Sequence, residues 1–448
     1  MVERAGIILA AGEGKRMKSA RPKVMHAVGG RPMLGHVIAA MRGAGIGRVI
    51  VVRSEKAGSV ADYAASMDAE SVLQVPQLGT GHAASCAAAA FRGFSGRLLI
   101  NNGDMPLITE ATLNAAFQAV ESTGLAMVAF RTAEPGAYGR VLVDGDGYAE
   151  KIVEAKDATE NELASNLCNA GTFVADAKTF FGWTAKLKNN NAQNEFYLTD
   201  IPALARRDGV RCAVVEADET EVTGVNTCAE LAAAEARFQN RLRAKALESG
   251  ARMTAPDTVY FSFDTQLEAD VQVGPSVVFG PGVSVRSGAE IRAFSHLEGC
   301  VVERGAIVGP FARLRPGAAI GEDAHIGNFV EVKNSRIERG AKANHLTYLG
   351  DANVGAGANI GAGTITCNYD GVQKHRTAIG PGAFIGSNAC LVAPISVGEG
   401  AFVGAGSVLT RNVEAEALAV TRPERKDVKG WAKGFRKRRH GQKAEKET

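Results

Sequence analysis

From about Val271 to Leu409 an aliphatic residue followed by a small one returns every six residues: Val273-Gly274, Phe279-Gly280, Ile320-Gly321, Ile326-Gly327, Val354-Gly355, Ile360-Gly361, Ile379-Gly380, Ile385-Gly386, Val397-Gly398 and Val403-Gly404. Gly309 stands twelve before Gly321, so the phase holds there as well. Six residues cannot make a helical repeat unit, but they can make one short strand and one corner. The aliphatic side chain points inward and the small residue lets the chain turn. Three such hexads close a triangular coil, and only stacked coils bury a core. The phase breaks between Gly361 and Gly380, nineteen apart, so one extra residue must leave the coil. A loop is expected around Cys367 to Lys374, where Thr366-Cys367-Asn368-Tyr369-Asp370-Gly371 is polar and unlike the hexads.

The N-terminal half follows a different rule. Ala5 to Ala10 is an apolar run that reads as a buried strand, and Gly12-Glu13-Gly14-Lys15-Arg16-Met17 follows at once. A helical pattern from about Pro32 to Arg42 leads to strands at Val49 to Val52, Val72 to Val75, Leu98 to Ile100 and Leu125 to Phe130. Ala-rich helical stretches such as Gly81 to Phe91 lie between them. This alternation predicts a Rossmann-like α/β domain with a parallel sheet, whose ligands collect at the carboxyl ends of the strands. The glycine loop lies at such an end. Its backbone N–H groups can approach phosphate oxygens, and Arg16 and Lys23 add charge. It matches neither common phosphate-loop motif, so alone it also reads as a tight turn.

At 448 residues the chain is long enough for two or three domains. Only 6% of residues are aromatic against 52 glycines, which suits small-residue packing. A net charge of +3 gives no bulk electrostatic case for nucleic acid. The seven cysteines form no C-x-x-C pair, and no apolar run reaches membrane-spanning length, so a cytoplasmic protein is expected. Lys433, Arg436, Lys437, Arg438 and Arg439 crowd the end and read as a solvated, disordered tail.

Several N-terminal motifs together resemble the sugar-nucleotide pyrophosphorylases. Leu9-Ala10-Ala11-Gly12-Glu13-Gly14-Lys15-Arg16-Met17 with Arg21-Pro22-Lys23 resembles their signature loop, and Gln77-Leu78-Gly79-Thr80-Gly81-His82 their nucleobase turn. Asn102-Gly103-Asp104-Met105-Pro106-Leu107 resembles their metal motif. Tyr138-Gly139-Arg140, Ile152-Val153-Glu154, Asn169-Ala170-Gly171 and Val225-Asn226 resemble the sugar side. The resemblance implies that Leu9, Ala10, Gly12, Gln74, Gly79 and Thr80 bind the nucleotide, that Arg16 and Lys23 are catalytic, and that Asp104 and Asn226 hold Mg²⁺. Gly139, Glu154, Asn169 and Asn226 would take the sugar phosphate. Two departures stand out. Lys15 replaces a usual Thr and would add charge near the triphosphate, and Asn102 replaces a common Tyr.

Thr227-Cys228-Ala229-Glu230 has capping-box form, and Leu231, Ala234, Phe238, Leu242 and Ala246 fall near one helical face up to Ser249-Gly250. This helix reads as an arm holding two domains apart, or as a helix packed wholly on the first. The expected division is 1–226, a helical linker 227–250, a prism 251–422 and a basic tail 423–448.

The hexads resemble those of the hexapeptide acyltransferases, which implies a left-handed parallel β-helix. Ala312 to Gly317, Gly327 to Lys333, Asn344 to Asp351 and Asn359 to Gly371 closely resemble glucosamine-1-phosphate acetyltransferases. With the first half, the chain resembles throughout the bacterial bifunctional N-acetylglucosamine-1-phosphate uridyltransferase/glucosamine-1-phosphate acetyltransferases. That resemblance implies a homotrimer using UTP, glucosamine-1-phosphate, N-acetylglucosamine-1-phosphate and acetyl-coenzyme A. It makes His345 the base, with Glu331 orienting it. It assigns Arg315 and Lys333 to the sugar phosphate, Tyr348, Asn359 and Lys374 to the rest of the sugar, a backbone N–H near Ala362 to the thioester oxyanion, and Asn368, Tyr369, Ser387, Ala405 and Arg422 to acetyl-coenzyme A. The rival readings are a three-histidine metal prism using His325, His345 and His375, and a non-catalytic assembly subunit.

Overall fold

A computed structural model of the chain describes residues 2–421 and 424–444. The chain divides into two compact units, Met1–Ala246 with Phe261–Asp264, and Leu247–Tyr260 with Thr265–Thr448.

The first unit is built on strands β1 (Arg4–Ala10), β2 (Arg48–Arg53), β3 (Glu70–Leu73), β4 (Arg97–Asn102), β5 (Gly124–Arg131), β6 (Arg140–Val143), β7 (Ala149–Val153), β8 (Leu167–Asp176) and β9 (Arg211–Glu216). They form one sheet in the order β3-β2-β1-β4-β8-β5-β9-β7-β6. The expected parallel sheet exists only in part. β1, β2, β3 and β4 are parallel, but β8 runs antiparallel to both β4 and β5. The chain returns through β6 and β7 as an antiparallel pair, so β8 enters the sheet from the opposite end. Helices α1 (Met33–Gly43), α2 (Thr80–Cys86) and α3 (Glu110–Thr123) cover the faces. Ile8 and Ile7 of β1 face opposite layers, each fully buried, as alternation along a two-sided strand requires.

The connector is helix α4 (Cys228–Glu248). Glu230 N–H donates to Thr227 Oγ1 at 3.1 Å and Thr227 N–H donates to Glu230 Oε2 at 3.1 Å, completing the capping box. The helix packs on the first unit. Ala234 and Phe238 are buried against Val28, Met33, Leu107 and Val225, and Gly29 N–H donates to Glu235 Oε2 at 2.7 Å. The apolar stripe faces the first unit because that unit offers a cluster to cover.

The second unit is a left-handed parallel β-helix of three ladders, with ten, eight and eight short strands among the described residues. On the first face Val273, Ile291, Val308, Ile326, Ala343, Ile360, Ile385 and Val403 stack in register, each pointing inward and buried. Where a glycine follows the inward aliphatic, the coil above comes too close for a side chain. A Cβ on Gly327 would lie 2.0 Å from the Asn344 carbonyl oxygen. The excursion at the phase break is larger than the single residue expected. Ile360 pairs with Ile385, 25 positions on, whereas Val273 pairs with Ile291, 18 on, so a whole hexad and one further residue leave the prism. The C-terminal tail also differs from expectation, since Trp431–Ala444 forms helix α5. Among the described residues no helix is long and apolar enough to cross a membrane.

Candidate active sites

The first site lies at the carboxyl ends of β1 and β4, where Gly103 N–H donates to Leu9 O at 2.9 Å and joins the two following loops. A cavity of about 560 Å³ opens there, walled by Leu9, Ala10, Gly12, Arg16, Lys23, Gln74, Gly79, Thr80, Asp104 and Asn226 among others. The loop after β1 folds tightly through Gly14, whose φ of 63° is left-handed and whose missing Cβ leaves room for Lys23. Lys23 Nζ forms an ion pair with Asp104 and donates to Asn226 Oδ1 at 3.0 Å. Asp104 is held in turn by Val225 N–H, which donates to its carbonyl at 2.9 Å. Three distant segments therefore converge on one ammonium group.

The nucleobase turn closes on itself. Gln74 is only 4% exposed, and its Nε2 donates to Gly79 O at 2.9 Å. Thr80 Oγ1 accepts from Leu198 N–H at 3.0 Å. Gln77, the first residue of that turn motif, ties the turn to the end of β1 by donating to Ala11 O. The two departures from the family pattern sit in different surroundings. Lys15 lines the cavity but pairs with Glu13 at 2.7 Å, which offsets the extra charge, while the Asn102 amide lies where a Cβ on Gly171 would sit.

Gly139, Glu154 and Asn169 do not wall that cavity; Glu154 borders another, of about 460 Å³. Asn169 N–H donates to Gly139 O and Gly171 N–H to Asn169 Oδ1, both at 2.9 Å, at an irregularity in β8. Burial holds the Glu154 carboxyl above its usual range, opposed by Thr199 Oγ1, which donates to Glu154 Oε1 at 3.0 Å. Thr199 and Tyr197 in the same wall were missed by sequence, since neither sits in a recognisable motif.

The second site follows one edge of the prism. His345 ends the strand Lys342–His345 on the first face, and Tyr348 begins the strand Tyr348–Gly350 on the third. His345 Nδ1 pairs with Asn328 Oδ1 at 2.8 Å, one coil below. With that oxygen as acceptor, Nδ1 is the donor of the pair, which leaves Nε2 as the other ring nitrogen. Glu331 is not the orienting partner expected. It lies on the third face and accepts from Arg315 Nη1 at 2.8 Å. Lys333 stands against Lys374, whose ammonium holds the Lys333 pKa below the usual lysine range. Arg315 and Lys333 thus gather positive charge beside the third face, with Lys374 on the loop that leaves it. Asn359 shares the first face with His345, in register with Lys342.

The residues expected at acetyl-coenzyme A divide into two groups. Ala362, Ser387 and Ala405 follow corner glycines in successive coils and stack along one edge, with Asn388 N–H donating to Ala362 O at 2.7 Å and Gly406 N–H to Ser387 O at 2.8 Å. Asn368 is buried, its amide spent on Asp351 and 3.5 Å from the Tyr348 hydroxyl, whereas Tyr369 is exposed on the loop. Arg422 lies outside the described residues.

Neither rival reading finds its geometry. His345 and His375 are engaged by Asn328 and Asp370, and among the described residues no group of three or more His, Cys, Asp or Glu is placed to hold a metal ion. Arg16, Lys23, Asp104 and Asn226, which a non-catalytic subunit would not need, all reach one cavity.

Comparison with known proteins agrees with both halves. Residues 6–169 match the MobA-like NTP transferase domain, residues 299–334 the bacterial transferase hexapeptide (six repeats), and residues 376–411 the hexapeptide repeat of succinyl-transferase. The chain is 56% identical over 439 residues to the bifunctional protein GlmU of Rhodospirillum rubrum, covering 97% of this chain and 98% of the relative. It is 50% identical to that of Paramagnetospirillum magneticum over 99% of each chain, and 51% identical to that of Sphingopyxis alaskensis over 96% of each. With one nucleotidyltransferase unit and one hexapeptide acyltransferase unit on a single chain, the protein belongs to the family of bifunctional GlmU transferases.

Proposed function

We propose that the chain makes UDP-N-acetylglucosamine by two transfers at these two sites, acetylation first and uridylyl transfer second. In the second unit the amine of glucosamine-1-phosphate attacks the thioester carbonyl carbon of acetyl-coenzyme A. His345 Nε2 takes the proton from the attacking nitrogen, a backbone N–H near Ala362 meets the developing oxyanion, and the C–S bond breaks. The thiolate leaves and recovers the proton. Arg315, Lys333 and Lys374 hold the sugar phosphate, Tyr348 and Asn359 the sugar, and Asn368, Tyr369, Ser387, Ala405 and Arg422 the acyl donor.

In the first unit a phosphate oxygen of N-acetylglucosamine-1-phosphate attacks the α-phosphorus of UTP, and pyrophosphate leaves. Both reactants are anions, so positioning and charge compensation are the main tasks. Arg16 and Lys23 supply cations, while Leu9, Ala10, Gly12, Gln74, Gly79 and Thr80 hold the nucleotide. Gly139, Glu154 and Asn169 take the acetylated sugar. Asp104 and Asn226 aim oxygens at one point, now filled by the Lys23 ammonium, and such hard donors fit Mg²⁺. That ion, when bound, would draw charge from the triphosphate.

Homotrimerisation is supported by an exposed apolar ladder on the edge that carries His345. Phe294, Phe311 and Phe329 stack at 4.9 and 5.2 Å, with exposed Leu346 next. Seven free cysteines support a reducing cytoplasm.

The reading rests on Lys23, Asp104 and Asn226 meeting at strand ends, with a separate His345–Asn328 pair on the prism. With glucosamine-1-phosphate, acetyl-coenzyme A, UTP and magnesium supplied, free thiol and pyrophosphate are both expected. Omitting acetyl-coenzyme A should stop both, while omitting UTP or magnesium should stop pyrophosphate alone. Pyrophosphate release at the same rate without acetyl-coenzyme A, or no thiol release at all, overturns the scheme.

A further inference from the structure

The loop that leaves the prism after the strand Ile365–Cys367 has no hydrophobic anchor at its tip, where Tyr369 and Val372 are 60% and 84% exposed. Polar contacts fix its shape, and most of them converge on Asp370. Asp370 Oδ1 accepts from Val372 N–H at 2.8 Å and from Gln373 N–H at 2.7 Å. Asp370 Oδ2 pairs with His375 Nε2 at 2.7 Å, and Asp370 N–H donates to Gln373 O at 3.2 Å. The loop is closed at its base by His375 N–H, which donates to Asn368 O at 2.8 Å, and by a bridge between Tyr369 and Lys374. These bonds, the Gln373 N–H first, hold the Asp370 carboxyl far below the usual carboxylate range.

What the ring holds in place is Lys374. Its ammonium lowers the Lys333 pKa, as a neighbouring like charge must. A flexible loop would relieve the repulsion by swinging Lys374 into solvent. Asp370 ties down both neighbours of Lys374, accepting the Gln373 N–H on one side and pairing with the His375 imidazole on the other.

We propose that Asp370 and His375 are positioning residues for the acetyl acceptor. They pin the loop so that Lys374 stands opposite Lys333 before the substrate arrives, and an anionic phosphate monoester then fills the gap between the two ammonium groups. Ordering Lys374 in advance removes a cost that binding would otherwise bear. The inference deepens the assignment of Lys333 and Lys374 to the sugar phosphate and depends on it.

The test is steady-state acetyl transfer by the full-length enzyme, with uridylyl transfer as an internal control of folding. For Asp370→Ala the KM for glucosamine-1-phosphate should rise about tenfold. The kcat and the KM for acetyl-coenzyme A should stay within about threefold. His375→Leu should show a smaller rise of the same kind, and His375→Gln, which keeps an N–H donor, should restore it. An unchanged KM in Asp370→Ala overturns the pin, as does a common fall in every parameter together with the melting temperature. Lys374→Ala separates the two layers. If it leaves the KM for glucosamine-1-phosphate unchanged, the phosphate assignment itself fails; if it raises that KM while Asp370→Ala does not, only the pin fails.

Discussion

Asn328 does for His345 what sequence motifs assigned to Glu331. The two carboxamide and imidazole groups are neighbours only because coils stack, with Asn328 in register with His345 on the first face. Glu331 is closer in the motif but lies around the corner, where Arg315 claims it. Asn328 is a neutral orienting group, and a carboxylate in its place would favour the protonated ring. Asn328→Asp is therefore expected to move the acidic limb of the acetyl-transfer pH profile to higher pH. Asn328→Ala should lower kcat by less than His345→Ala, whose loss should be roughly 10²–10⁴-fold. Rate–pH profiles of the three variants check this. A second histidine bears on stability. His36 is buried, its Nε2 2.8 Å from Val28 O, and desolvation pushes its pKa down to about 4 from 6.5. On acidification the unfolded chain takes up this proton first, so protonation favours unfolding. The full stabilisation stands above pH 6.5 and is lost as pH falls toward 4, by about 3 kcal/mol in total. Thermal unfolding of the first unit should show that slope, and His36→Gln should flatten it.

Stacking is also what makes single glycines decisive at the scale of the elements. Gly327 is packed under the Asn344 carbonyl, next to His345, so Gly327→Ala must lift the coil that carries the base. Overpacking of this kind costs about 1–3 kcal/mol. Its expected signature is a lowered melting temperature for the second unit and lost acetyl transfer, with uridylyl transfer kept; equal loss of both activities contradicts it. The prism itself was legible because a six-residue period names both the inward position and the corner, and Ile326, Ile360 and Ile385 all point inward as that period requires. Its loop was located but undersized, since phase counts only the remainder after whole hexads, and the hexad that leaves with the loop is invisible to it. Helix α4 shows a different limit. The stripe through Leu231, Ala234 and Phe238 states that one face is covered, not by what, and Val28, Met33 and Leu107 lie some 120 to 210 residues away. The same holds for β8, whose antiparallel entry depends on how the chain returns through β6 and β7. Motifs placed Lys23, Asp104 and Asn226 correctly at one cavity because each sits at the end of an element whose direction was readable; Thr199 beside Glu154 carries no such marker.

At the scale of the whole molecule, the two sites draw on separate compact units and share no residue. Chemistry links them, because the acetylated sugar phosphate leaving one is the acceptor of the other. Each activity should then be removable without touching its counterpart. Asp104→Asn keeps an oxygen but removes the charge that pairs with Lys23, and loss of one such electrostatic group typically costs about 10²–10³ in rate. Uridylyl transfer should fall by that order while thiol release from acetyl-coenzyme A continues at its former rate. His345→Ala should do the reverse. Mixed in one tube with glucosamine-1-phosphate, acetyl-coenzyme A, UTP and magnesium, the two inactive partners should together release pyrophosphate, after a lag that shortens as the Asp104→Asn variant is raised. The lag is the time needed for N-acetylglucosamine-1-phosphate to accumulate in free solution and reach the other variant. Complementation without a lag would mean that the intermediate is passed on without being released, and failure to complement would mean that one substitution disables both sites; either outcome ends the case for two independent sites.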